Sequence, residues 1–246
     1  LLPLLRPSAG LKQVFHRAPG VIPSVSSLQS KCQAAGISLQ GIVLAAWGTV
    51  IRSLTGSQEP VVGVYHTGRS AAFEGVDVLA GPTVNVLPMR IPAGDGVRTV
   101  DVARELQVEM GRRTRWEQTR VRDIVAWTQG EEGREGPIFN AWVNLLWHGD
   151  KIRTLRKGSA ALLESYSVGP PTDFVSAEPF EGKTAVDGLD TSFLPEYGFF
   201  ADIVLNSETD SIGLAMRAHE ALLDGGDLEG VVRVFREGVE RAVAEL

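Results

Sequence analysis

The chain has 246 residues, 43% of them apolar and 22% charged, ordinary values for a globular chain with a sizeable core. Its net charge of −6 is spread along the sequence, which argues against a nucleic-acid-binding surface, although Arg112, Arg113, Arg115, Arg120 and Arg122 form a local basic cluster. A single cysteine, Cys32, excludes an internal disulfide and metal-knuckle spacing; no apolar run approaches a membrane span and no signal peptide is visible, so a soluble cytoplasmic chain is expected.

The length permits one large domain or two small ones, and the opening at Leu1 predicts a piece of a longer polypeptide. Residues 1–24 carry Pro3, Pro7, Pro19 and Pro23 and read as an extended linker. A helix is expected from Ser24–Ser27 to a stop at Gly36, with Val25, Leu28 and Cys32 on one face. Ser38 then caps a second helix over 39–54, which Gly56 ends. Its run from Ile42 to Ile51, including Trp47, is apolar nearly all round, so it must be buried on most sides.

A valine-rich strand follows at 60–66, then a loop over 67–80 and a second extended run at 82–91. Thr99 is expected to cap an amphipathic helix through Leu106 and Met110, and a shorter helix to span 122–127. Residues 139–147 read as a strand, and 149–194 as polar loop with one strand near 162–168. The spans 197–205 and 211–218 form an expected antiparallel pair about a Glu-Thr-Asp turn, and Asp227 caps a last helix. Helices mixed with strands predict an α/β layered domain.

Serine-nucleophile motifs, zinc spacing, a P-loop and a dinucleotide fingerprint are absent. The histidines His16, His66, His148 and His219 are scattered, and each alone reads as structural or surface-exposed. The informative stretch is VVGVYHTGRSAAFEGVDVLAGPTVNVLPMR, residues 61–90. Asn85 lies between Val84 and Val86, so strand alternation sets it opposite their side chains. There it either orients a carbonyl or amine of a bound molecule or ties down a loop. Arg69 and Arg90, whose guanidinium groups fork onto carboxylates, read first as structural partners.

Taken in order, the helix ISLQGIVLAAWGTVIRSLTG, the pair Gly68-Arg69 and the spacing Gly81-x-x-x-Asn85-x-x-Pro88-x-Arg90 resemble the condensation domains of nonribosomal peptide synthetases, with a fungal and siderophore-synthetase flavour. Glu117 to Val121 occupies the place of that family's His/Asn-Gln-Asp-x-Pro motif and keeps only Gln118; Gly136 to Phe139 stands where the family enters a strand. The resemblance implies an α/β chloramphenicol-acetyltransferase-like lobe, a mixed sheet packed against helices. It assigns 1–24 as linker from a missing N-terminal lobe and 25–246 as the C-terminal lobe. The implied activity is acyl transfer between two carrier-bound thioesters, forming an amide or ester.

The same resemblance makes Asn85, Arg69, Arg90, Gly81 and Gln118 candidates for the substrate tunnel or lobe interface. No catalytic or metal-binding residue is expected in this chain. The phosphopantetheine arms of carrier proteins enter as substrates rather than as bound cofactors, and the expected partners are the N-terminal lobe and the peptidyl carrier domains. The family's His-His-x-x-x-Asp-Gly motif is echoed by His219-Glu220-Ala221-Leu222-Leu223-Asp224-Gly225, but Glu220 replaces the second histidine, and a structural turn is expected there. The chain by itself should therefore be inactive. A non-catalytic docking or scaffolding lobe, or a coenzyme A-dependent acyltransferase relative, are the competing readings.

Overall fold

The computed structural model describes residues 13–70, 74–76, 79, 81, 83–129, 138–148, 155–157, 160–163, 198–219, 222–223 and 228–246. In chain order the elements are β1 (Gln13–Pro23), α1 (Val25–Ala34), α2 (Leu39–Thr55), β2 (Val61–His66), β3 (Asn85–Arg90) and α3 (Thr99–Arg113). A short 3-10 turn (Thr114–Trp116) leads to α4 (Val121–Gln129) and β4 (Ala141–His148). A small two-stranded sheet, β5 (Leu155–Lys157) with β6 (Ala160–Leu163), precedes β7 (Phe199–Asn206), β8 (Ser211–His219) and α5 (Leu228–Glu245).

Six strands form one mixed sheet in the order β1-β8-β7-β4-β2-β3. β4 runs parallel to both β2 and β7, and the other neighbours pair antiparallel. β7 and β8 alternate buried and half-buried residues, so Phe199, Ala201, Ile203 and Leu205 face the same core as Ile212, Leu214 and Met216.

Helix α2 is the centre of that core. Ser38 accepts a hydrogen bond from the Gly41 amide, and Gly56 closes the helix at φ 67°, both as the sequence predicts. Trp47 stacks on Phe199 at 5.6 Å and meets Phe235 edge-on at 6.3 Å, joining α2 to the sheet and to α5. Gly48 lets the helix approach β3's exit, since a Cβ there would lie 2.3 Å from Ile91. Among the described residues no single helix is long and apolar enough to cross a membrane.

Two expectations are corrected. The linker reading fails over 13–23, which pair with β8 from Gln13↔His219 to Pro23↔Ser211. The prolines misled because this is an edge strand, where a missing amide hydrogen costs nothing inward. Pro19 sits within the register shift between Ala18 and Ile22, beside Gly20 at φ 64°. Residues 1–12 lie outside the described residues.

Thr99 is the second correction: it is the first helical residue of α3, and Arg98 stands at the cap position without a side-chain bond. The first turn is instead held by Glu245 of α5, whose carboxylate accepts from the Val100 amide at 2.9 Å. α1 is served in the same way by Asp210 of the β7–β8 turn, which takes the Ser26 amide and hydroxyl, each at 2.8 Å. The helix predicted at 122–127 extends over Val121–Gln129; of the strand predicted near 162–168, Leu162 and Leu163 belong to β6 and 164–168 lie outside the described residues. The Asp227 cap, Pro82, Gly136, Pro137, the His148 side chain and most of 149–194 fall outside the described residues.

Candidate functional site

Of the residues singled out in the 61–90 stretch, Asn85, Gly68 and Arg69 gather at one end of β2 and β3, where the loop between them begins and ends. Asn85 opens β3 directly opposite His66, the last residue of β2. Paired residues of an antiparallel ladder share a face, so both side chains turn toward the segment that follows α3. Asn85 donates from Nδ2 to the carbonyls of Glu117 (2.7 Å) and Thr119 (2.8 Å), and its Oδ1 accepts the Val86 amide at 2.9 Å. Of the two readings open at the sequence level, the structure gives Asn85 the loop-tying one.

Glu117 is buried beneath it. Its Oε1 lies 3.4 Å from Nδ1 of His66, a long contact, and accepts the Ser70 hydroxyl at 3.1 Å. Burial holds the His66 pKa below its ordinary value, against the opposing pull of the Glu117 hydrogen bond, so the imidazole is neutral at neutral pH. Nε2 of His66 and Oε2 of Glu117 have no hydrogen-bond partner. Ser70 donates to Glu117 and not to the histidine, so these three groups do not form a nucleophile relay.

The remaining candidates shape the loop between β2 and β3. Gly68 takes φ 67°, and a Cβ there would lie 1.8 Å from the Thr83 carbonyl oxygen, so the loop's two ends touch at a point only glycine fits. The Thr83 hydroxyl donates to the Thr67 carbonyl at 2.7 Å, Gln118 donates to the Gly68 carbonyl at 3.0 Å, and the Arg69 guanidinium reaches the carbonyls of Val76 (2.8 Å) and Leu79 (3.1 Å). A loop closed at its neck, with Arg69 reaching across it, has the form of an Ω-loop. Gly81 is exposed at φ 142°. Arg90 is separate: it pairs with Glu59 at 3.3 Å where both side chains are more than half exposed.

Asn85 and Pro88 also block part of the β3 edge of the sheet. Asn85 occupies the Val86 amide, Pro88 has no amide hydrogen, and Arg113 of α3 donates to the Pro88 carbonyl. An edge strand with two successive outward donors removed is a poorer template for strand addition.

A second constellation escaped the sequence reading. On the sheet face opposite the helices, cross-strand register lines up Gly63, Trp142, Phe200, Arg217 and Phe15. Tyr65 stacks on Trp142 at 5.5 Å, Phe200 meets Trp142 edge-on, and the Arg217 guanidinium lies 4.7 Å over the Phe15 ring. One step along, Asn144 donates to Asp202 at 2.9 Å. Burial pushes the Asp202 carboxyl above the usual carboxylate range, while Asn144 and Arg217 oppose the shift; burial lowers the Arg217 pKa, with Asp202 opposing. A charged residue in the middle of a strand-like run was the available signal for this face.

The scattered histidines stay scattered. His16 lies 3.4 Å from Glu229, His66 belongs to the loop anchor, and His219 is buried at the end of β8 with neither ring nitrogen bonded. Glu220, Asp224 and Gly225 of the echoed motif are outside the described residues. No group of side chains suited to a metal ion occurs among the described residues. A cavity of ≈ 350 Å³ on the helical side, lined by Thr49, Arg52, Ser53, Glu237 and Arg241 among others, includes none of the candidates.

The family model for the Condensation domain matches residues 24–169. The chain is 50% identical, over its whole length, to the nonribosomal peptide synthetase fso1 of Omphalotus olearius, of which it covers 5%. It is 31% identical over 57% of its length to the ferrichrome siderophore peptide synthetase of Mycosarcoma maydis, covering 3% of that protein. A solved structure describing condensation domain-mediated chain release from the enacyloxin polyketide synthase superposes with a TM-score of 0.60 at 14% identity, over 94% of this chain and 41% of that one. The chain thus spans a small part of the curated relatives it matches and less than half of that solved structure.

Proposed function

Because the chain belongs to the condensation-domain family of nonribosomal peptide synthetases, we propose that it acts as the C-terminal lobe of such a domain, in a fungal siderophore synthetase of the cytoplasm. The observation that carries this reading is proportion: almost all of the chain superposes on 41% of a solved relative, as one lobe of a two-lobed domain would. The absence of an intact His-His-x-x-x-Asp motif from the sequence supports the same division. The siderophore assignment rests on the kinship to the ferrichrome synthetase and on the 61–90 stretch.

In this reading two substrates arrive as thioesters on phosphopantetheine arms. The acceptor amine attacks the donor carbonyl, the new N–C bond forms, the C–S bond breaks, and the amine proton passes through a base to the departing thiol. The base belongs to the other lobe. This lobe contributes a wall, and holding amine and thioester in line is worth roughly 7–11 kcal/mol of the barrier when the geometry is good. The anchored Ω-loop and the aromatic, charged sheet face are the two surfaces available for that wall. Gly81, at the loop's exposed return, Arg69, within the loop, and Gln118, which bonds the Gly68 carbonyl from beyond α3, act by giving the loop its shape. Arg90 lies outside this machinery.

The test is an amide-forming assay with both carrier-bound substrates. The chain alone is expected to give no product, and the same chain joined to its upstream lobe is expected to give it. Turnover by the isolated chain would overturn the assignment, and an upstream lobe lacking the histidine motif would convert it to a docking role.

A further inference from the structure

The geometry points to the segment from Arg112 to Trp127, the end of α3 with the 3-10 turn and α4, as a docking face for an anionic protein partner, the carrier domain with its phosphodiester-linked arm. The inference rests on the synthetase reading above and adds to it a place on the surface.

Charge sets this segment apart. In a chain of net charge −6, residues 109–129 hold five arginines against three carboxylates, and one of those carboxylates, Glu117, is buried. The five are used differently. Arg113 is structural, bonded to Glu109 at 2.8 Å and to the Pro88 carbonyl. Arg120 and Arg122 share a single carboxylate, Asp123, at 2.7 and 3.6 Å. Arg112 and Arg115 are exposed with no carboxylate partner among the described residues. Guanidinium groups left uncompensated on an acidic chain select phosphate and carboxylate from a partner, and their planar donors match either one bidentately.

The same segment carries exposed aromatic surface. Trp127 is 70% exposed and Trp116 is 55% exposed, with Arg115 over the Trp116 ring at 5.3 Å. None of residues 121–128 is fully buried. A helix of nine residues is marginal by itself in water, so α4 gains from a body packed against Ile124, Val125 and Trp127. Tryptophan and arginine together are the residues that dominate protein-partner affinity. The segment is also held firmly: Asn85 ties both the Glu117 and Thr119 carbonyls immediately before α4. A pre-organised patch loses little freedom on binding.

The test uses the complete two-lobed domain and the isolated, phosphopantetheine-loaded carrier domain of the same synthetase, titrated calorimetrically at several salt concentrations. Reversing Arg112→Glu with Arg115→Glu is expected to raise Kd by about tenfold or more and flatten its salt dependence, and Trp127→Ala to weaken binding with the salt dependence retained. The reversal Arg104→Glu, on α3 outside the segment, controls for a charge reversal placed elsewhere on the helix and should leave Kd unchanged. Circular dichroism identical to that of the parent domain shows that the variants fold. Unchanged carrier affinity in folded variants would overturn the inference, as would a segment that binds anionic vesicles but not the carrier. An active domain whose carrier affinity ignores these side chains sinks only the docking face; a complete domain that makes no amide sinks the reading it rests on.

Discussion

The two faces of the six-stranded sheet are built by opposite means. Toward the helices, Trp47, Phe199, Phe235, Ile203 and Leu205 are fully buried and interlock by shape. Toward the other side, Trp142, Phe200 and Tyr65 share their surface with Asp202, Asn144 and Arg217, and two of those polar groups carry shifted pKa values caused first by burial. A face that exists only to hold a fold together has no need of half-buried charge, since desolvating it costs more than an apolar replacement would. The contrast teaches that one face is built for packing alone, while the other holds polar groups that packing by itself does not require.

The largest way to break that contrast is Trp47→Ala. Removing the ring that joins α2, the sheet and α5 should cost about 3–5 kcal/mol in denaturant unfolding; a loss below 1 kcal/mol would mean that α2 is not the centre of the core. Next comes Asn85→Ala, which leaves two carbonyls and one amide without their partner. It should cost about 1–3 kcal/mol, with faster hydrogen exchange confined to the Ω-loop and residues 117–121. Exchange that accelerates evenly through the sheet would contradict a local anchor.

A smaller and sharper effect separates two aspartates of the β7–β8 hairpin. Asp202 has its pKa raised by burial, so its ionisation opposes folding. Wild-type stability should fall relative to Asp202→Asn as pH rises from below the ordinary carboxylate range through the raised value. Asp210 has its pKa lowered by its bonds to the Ser26 amide and hydroxyl. Its contribution is present above the ordinary range and is lost as pH falls through the lowered value, so wild type should lose its advantage over Asp210→Asn in acid. Melting curves across pH must show opposite slopes for the two differences; parallel slopes would refute the assignment. The smallest effect is expected for Arg90→Ala. Its pair with Glu59 is solvent-exposed, and the loss should stay within about 0.5 kcal/mol.

Much of the local structure was written in residue order. Ser38 and Gly56 bracket α2, and the alternation at 199–206 and 211–219 marks β7 and β8, because period and cap signals act over three or four residues. The 61–90 stretch likewise identified the family. The role of its residues was not legible there: Asn85 faces a loop 32 residues further on, a distance no spacing rule spans.

What the sequence determined by itself was therefore most of the elements, though not β1, together with the buried character of α2 and the kinship. Tertiary structure alone decided that 13–23 joins the sheet, that Asp210 and Glu245 serve the first turns of α1 and α3, and that Trp142, Phe200 and Arg217 share one face. The physical reason is separation along the chain. Ser26 and Asp210 are 184 residues apart, and their bond exists only once the sheet has brought the hairpin turn to the start of the helix.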